Sequence, residues 1–172
     1  LSQLCASLEL CYFSFSQSIL YRYHISMSLF PERRRKQAIA YLIGLAVTTI
    51  VFVYILDIPN RLTGEGKLVK EYYYDNAMQS FILDIFIVGA YLGVANWVFS
   101  KLPFKGLAAQ TLTVAGTSAL ISSAFMFYFL KQPKNASFFA KWFHAVGFTA
   151  VVYDAILVSG VFLATKAVRD RL

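Results

Sequence analysis

The sequence predicts an all-α fold: a polytopic membrane protein, built as a four-helix transmembrane bundle behind an N-terminal arm. Three observations lead there. Four apolar runs are each long enough to span a bilayer, since roughly 20 apolar residues cross about 30 Å of hydrocarbon. Of the 172 residues, 58% are hydrophobic and the mean hydropathy is +0.58. Only 15% are charged, well below the quarter or so usual in a soluble domain, and they cluster between the runs.

Residues 1–37 form the arm and a basic juxtamembrane segment. Leu4 to Leu20 is apolar but broken by Glu9 and Gln17, a poor pattern for a span. It lacks the basic start of a signal peptide. Met27, followed by Ser28-Leu29-Phe30-Pro31, reads as a natural start. Residues 1–26 are then an upstream extension or a surface-lying amphipathic arm. Cys5 and Cys11 do not make a disulfide framework. Arg33, Arg34, Arg35 and Lys36 read as a topology anchor beside the first span.

Residues 38–172 form one small bundle. Its spans are predicted at about Ala38–Ile58, Ala77–Phe99, Leu107–Leu130 and Trp142–Ala164. With four spans, the Arg33–Lys36 cluster shares a side with Lys101 and Lys105, and with Lys166, Arg169 and Arg171. The bias places both termini in the cytoplasm-facing compartment. Tyr72, Tyr73, Tyr74, Phe138, Phe139 and Trp142 are expected as an aromatic belt on the far side. Asn135-Ala136-Ser137 matches a glycosylation sequon on that side, but too close to Trp142 for a transferase to reach well. The net charge of +7 comes with no nucleic-acid recognition motif, so lipid headgroups are the expected partner rather than nucleic acid.

Two acidic residues lie inside the spans, Asp84 and Asp154. A carboxylate at mid-membrane is costly and usually finds a partner within the bundle. Span three carries an unusual polar stripe: Gln110, Thr111, Thr113, Thr117, Ser118, Ser122 and Ser123. Counting depth at 1.5 Å per residue sets Asp154 level with Thr117 and Ser118, and Asp84 level with Ser122 and Ser123. Hydroxyl hydrogen bonds from span three to both aspartates are therefore expected. The aspartates are either interhelical glue or a protonatable pair that relays protons or binds a cation.

Packing motifs come next. Gly89-x-x-x-Gly93, followed by Asn96, predicts a close helix seam on span two. Gly147 and Gly160 lie on span four, with Gly147 on the Asp154 side. Ala40-x-x-x-Gly44 and Gly160-x-x-x-Ala164 are weaker versions of the seam. No paired His and carboxylate spacing suits a bundle metal site, and no axial histidine within a span suits haem. No metal, cofactor or catalytic residue is assigned, so an enzyme is not expected.

Lys141-Trp142-Phe143-His144-Ala145-Val146-Gly147 runs on to Tyr153-Asp154-Ala155-Ile156-Leu157-Val158. Together with Asp84 and Gly89-Ala90-Tyr91-Leu92, it resembles small multi-pass membrane proteins of large icosahedral double-stranded DNA viruses. The likeness covers about a quarter of the chain. It implies an inner-membrane protein beneath the capsid shell, acting as a minor capsid component, and it implies no catalytic residues. The expected role is then structural, with the bilayer and other membrane or capsid proteins as partners. A homo-oligomer is also compatible. The competing readings are a small proton-coupled channel or transporter using Asp84 and Asp154, and an accessory subunit of an organellar membrane complex.

Overall fold

The computed structural model describes residues 32–172, which are helical with no strand. The arm, with Cys5, Cys11 and Met27, lies outside the described residues. The chain divides into two units, Leu1–Ile39 and Ala40–Leu172. Of the first, the described residues are the opening turns of helix α1.

Helix α1 runs Glu32–Thr49 and continues through a π-helical stretch, Ile50–Ile55. The basic run Arg33–Lys36 is thus inside the first helix rather than flanking it. Lys36 pairs with Glu32 one turn away at 3.3 Å, which favours continuing the helix through the charges. The first span ends earlier than expected, at Ile55. Asp57 adopts a left-handed conformation, φ 50, and Pro59 starts the short helix α2, Ile58–Thr63. The first loop also holds α3, Gly66–Lys70, and a π-helical turn, Glu71–Asp75.

Helix α4, Ala77–Lys101, is the second span. It stops because Leu102 precedes Pro103, which disfavours the helical conformation, and Leu102 is extended. Helix α5, Leu107–Leu130, has the predicted bounds of the third span. The fourth predicted span is two helices. Helix α6, Phe138–Val146, ends at Gly147, whose φ of 59 breaks the helix direction. Helix α7, Phe148–Arg169, is the span itself. Gly147 is therefore a hinge residue and not a packing residue. A Cβ there would meet no atom within 4 Å, so its backbone angle is what calls for glycine.

Among the described residues, four helices are long and apolar enough to cross a membrane: Glu32–Ile55, Ala77–Lys101, Leu107–Leu130 and Phe148–Arg169. Their outward faces carry bare apolar side chains, as at Leu112 (73% exposed), Leu120 (74%) and Phe86 (70%). The inward face of α1 is mostly small or hydroxyl-bearing, while Ile39, Leu42, Ile43 and Val47 point outward. Ala40, Gly44, Leu45, Thr48 and Thr49 are buried, at a spacing that makes one helical stripe. Small residues let helix backbones approach where lipid removes any hydrophobic drive to associate.

Helix α5 is central, packing most extensively against α7 and next against α4. Two hydrogen bonds set its antiparallel register with α7. Lys166 Nζ donates to Gln110 Oε1 at 3.4 Å, and Ser122 Oγ donates to Asp154 Oδ2 at 2.5 Å. Twelve residues separate the two bonds on each helix, about 18 Å at 1.5 Å per residue. The equal spacing shows that the helices keep step without slippage.

The glycine seam differs from expectation. A Cβ on Gly89 would lie 3.4 Å from the Tyr41 hydroxyl, but Gly93 has open space beside it and Asn96 is exposed. The close approaches are on α1 and α7. A Cβ on Gly44 would lie 2.7 Å from the Thr165 backbone nitrogen. One on Gly160 would lie 2.8 Å from the Phe52 ring.

Candidate functional site

A cavity of about 170 Å³ lies among α4, α5, α6, α7 and the π-helical turn Glu71–Asp75. Both intramembrane aspartates line it. The break at Gly147 explains why they meet. With the fourth span beginning at Phe148, Asp154 is six residues inside α7, and Asp84 is seven inside α4. Each is then about 10 Å along its helix from the same end of the bundle. A span counted from Trp142 would instead set Asp154 near its middle.

The partners follow from this shift. Asp154 pairs with Ser122, one turn along α5 from the expected Thr117 and Ser118. Asp84 is paired from the first loop, where Tyr72 Oη donates to Asp84 Oδ1 at 2.8 Å. The Tyr41 hydroxyl donates to the Ile85 carbonyl at 2.7 Å, tying α1 to α4 beside the acid. Thr117, Ser118 and Ser122 are buried and Ser123 is partly buried. Ser118 Oγ is buried with no hydrogen-bond partner among the described residues. Thr111 and Thr113 are satisfied locally: their hydroxyls donate to the Leu107 and Ala109 carbonyls one turn back.

Sequence reasoning missed the tyrosines. Tyr73 and Tyr153 share a hydrogen bond at 2.7 Å. Tyr54 donates to the Tyr73 carbonyl at 2.6 Å. Tyr72, Tyr73, Phe138, Phe139 and Trp142, expected as an aromatic belt, turn inward and line the cavity. Tyr72 stacks on Phe138 at 5.1 Å, and Phe138 on Trp142 at 6.3 Å. The available signal was the amphipathic spacing of Phe138–Val146, where Ala140, Trp142, Phe143 and Val146 are buried on one face. Ser137 caps that helix, accepting from the Ala140 amide at 3.1 Å. His144 is exposed and contacts the Gln132 carbonyl at 2.9 Å, well away from the acids.

Burial raises the Tyr72 and Tyr73 hydroxyls above the ordinary value of 10.0, reinforced by Asp84 near Tyr72 and Tyr153 near Tyr73. Both stay protonated in the folded chain. Their contribution is full below pH 10 and is lost as pH rises past it, because the unfolded chain then ionises first. We expect stability in detergent to fall above pH 10. The fall should be shallower in a Tyr72→Phe, Tyr73→Phe double variant.

The Tyr73 and Tyr153 pair offers a second check. Tyr73→Phe leaves a buried hydroxyl without its partner and is expected to cost about 1–3 kcal/mol. Adding Tyr153→Phe should restore part of that loss, as read by unfolding in a double-mutant cycle.

The basic residues fall into two groups. Lys101 and Lys105 flank the short α4 to α5 connection, and Lys166, Arg169 and Arg171 end α7. The Gln110 contact with Lys166 brings these two ends level, opposite the cavity end. Arg33, Arg34 and Arg35 are exposed on the first turns of α1. Among the described residues, no three His, Cys, Asp or Glu side chains come together as a metal site. Comparison with family models, curated proteins and solved structures finds no match for the chain.

Proposed function

We propose that the chain is a structural integral-membrane component of a large assembly, anchoring the inner membrane of a virion to its capsid as a minor capsid protein. The observation that carries the structural reading is that each aspartate ties its helix to a different neighbouring element. Each accepts a hydroxyl hydrogen bond from a different element, Tyr72 for Asp84 and Ser122 for Asp154. Bonds of this kind hold helices in register in lipid. The viral setting is supported by the resemblance around Tyr153-Asp154. The basic ends, Lys101, Lys105, Lys166, Arg169 and Arg171 with Arg33–Lys36, would face anionic headgroups or an acidic partner in the cytoplasm-facing compartment.

Gentle detergent extraction from the native membrane, followed by mass spectrometry of bound proteins, tests this reading. Capsid proteins in the bound fraction are expected. A small homo-oligomer free of partners would overturn it.

A second reading, a proton-coupled channel or carrier, is favoured by one observation: both carboxylates line a single cavity at similar depth. It requires Asp154→Asn to abolish proton flux in liposomes while the fold persists. The structural reading expects the amide to be tolerated.

A further inference from the structure

We propose that the cavity bounded by Asp84 and Asp154 is a binding site for a small protonated organic amine with an apolar body. The pocket, about 170 Å³ and partly open, is roomy enough for a small organic molecule, since an apolar cavity of about 150 Å³ holds benzene. Its chemistry is defined on two sides. The walls are aromatic, with Tyr72, Phe138 and Trp142 forming a stacked surface. Ring faces of this kind attract weakly hydrated organic cations.

The polar side is acidic. Asp84 Oδ1 and Asp154 Oδ2 are hydrogen-bonded, whereas Asp84 Oδ2 and Asp154 Oδ1 have no partner among the described residues. A carboxylate oxygen pair accepts up to about four hydrogen bonds, so acceptor capacity is left over on both acids. No Lys, Arg or His is among the residues that line the cavity, so no side chain there supplies a counter-charge. A buried charge needs such a partner.

The donor set argues for this ligand class over others. Hard divalent cations take about six to eight oxygen ligands, and the walls offer mostly carbon. An anion would meet two acids and no base. A monovalent ammonium on a hydrocarbon or aryl body matches both surfaces at once. An ethanolamine lipid headgroup carries the same ammonium as a free amine. The site does not depend on the anchoring role proposed above, and losing it would leave that role standing.

The test uses the full chain in dodecyl maltoside micelles. Trp97→Phe leaves Trp142, in the cavity wall, as the one indole in the sequence. Phenethylamine should change Trp142 fluorescence saturably, binding at least about tenfold more tightly than uncharged 2-phenylethanol. In an Asp84→Asn, Asp154→Asn variant that preference should vanish while the alcohol still binds, which shows that the cavity persists. Equal affinity for amine and alcohol in the parent would overturn the proposal without any need for the variant. So would the absence of a saturable response, or a preference that survives the double substitution. Adding phosphatidylethanolamine then names the source: competition with phenethylamine points to a headgroup, and its absence to a free amine.

Discussion

Gly44→Leu is expected to abolish the folded bundle. A Cβ at this position would lie 2.5 Å from Thr165 Oγ1, 2.7 Å from its backbone nitrogen and 2.9 Å from its Cα. Two of those atoms belong to the backbone, so no rotamer change relieves the clash and α1 must move away from α7. Overpacking typically costs about 1–3 kcal/mol and sometimes more. Gly44→Ala should already fall in that range, and Leu should leave no monodisperse species on size exclusion in detergent. Gly93→Leu is the control, since nothing lies within 4 Å of a Cβ there. It should shift stability by no more than about 0.5 kcal/mol. A folded Gly44→Leu variant, or an unfolded Gly93→Leu variant, would mean that the helix crossing is elsewhere.

Ser122→Leu is expected to have the next largest effect. Ser122 is fully buried (0% exposed) at the contact of α5 with α7, and its hydroxyl donates to Asp154. Leucine both removes the donor and inserts bulk where two helices keep register, so the helix pair should separate. Ser122→Ala isolates the hydrogen bond. Its coupling to Asp154→Ala, which removes the acceptor, in a double-mutant cycle should be about 0.6–1.7 kcal/mol, the range for polar contacts in a membrane bundle. Thr117→Ala and Ser123→Ala should show no coupling to Asp154 beyond about 0.5 kcal/mol. Strong coupling to Thr117 instead would place α5 more than one turn out of this register.

Legibility of the site varied residue by residue. Asp84 and Asp154 stood out because an acid inside an apolar run is costly and rare. Ser122 was visible as part of a polar stripe, but its partner was assigned one turn off. The error came from Gly147. In the sequence, Trp142 to Ala164 reads as one unbroken apolar helix. In the structure, a glycine at φ 59 detaches Phe138–Val146 and moves the start of the span. Tyr72 was missed as a partner because it lies twelve residues before Asp84, across a turn whose path hydropathy does not report. Gly89-x-x-x-Gly93 looked like the strongest seam, yet Gly44 and Gly160 make the close contacts. A small-residue motif states that a backbone can be approached, not which neighbour approaches it.

The class is legible in the order of residues alone: an all-α chain with four apolar helices long enough to span a bilayer, charges at their ends, and two acids within them. That is because span length and charge placement answer to the bilayer, and each helix satisfies its own backbone hydrogen bonds. Helix packing sets which small residues touch, which hydroxyl meets which carboxylate, and that the aromatic residues turn inward. In lipid, apolar residues facing the bundle and facing outward look alike, so pattern cannot assign the inner face. Steric fit and a few hydrogen bonds assign it, and those depend on helix crossings that hydropathy does not encode.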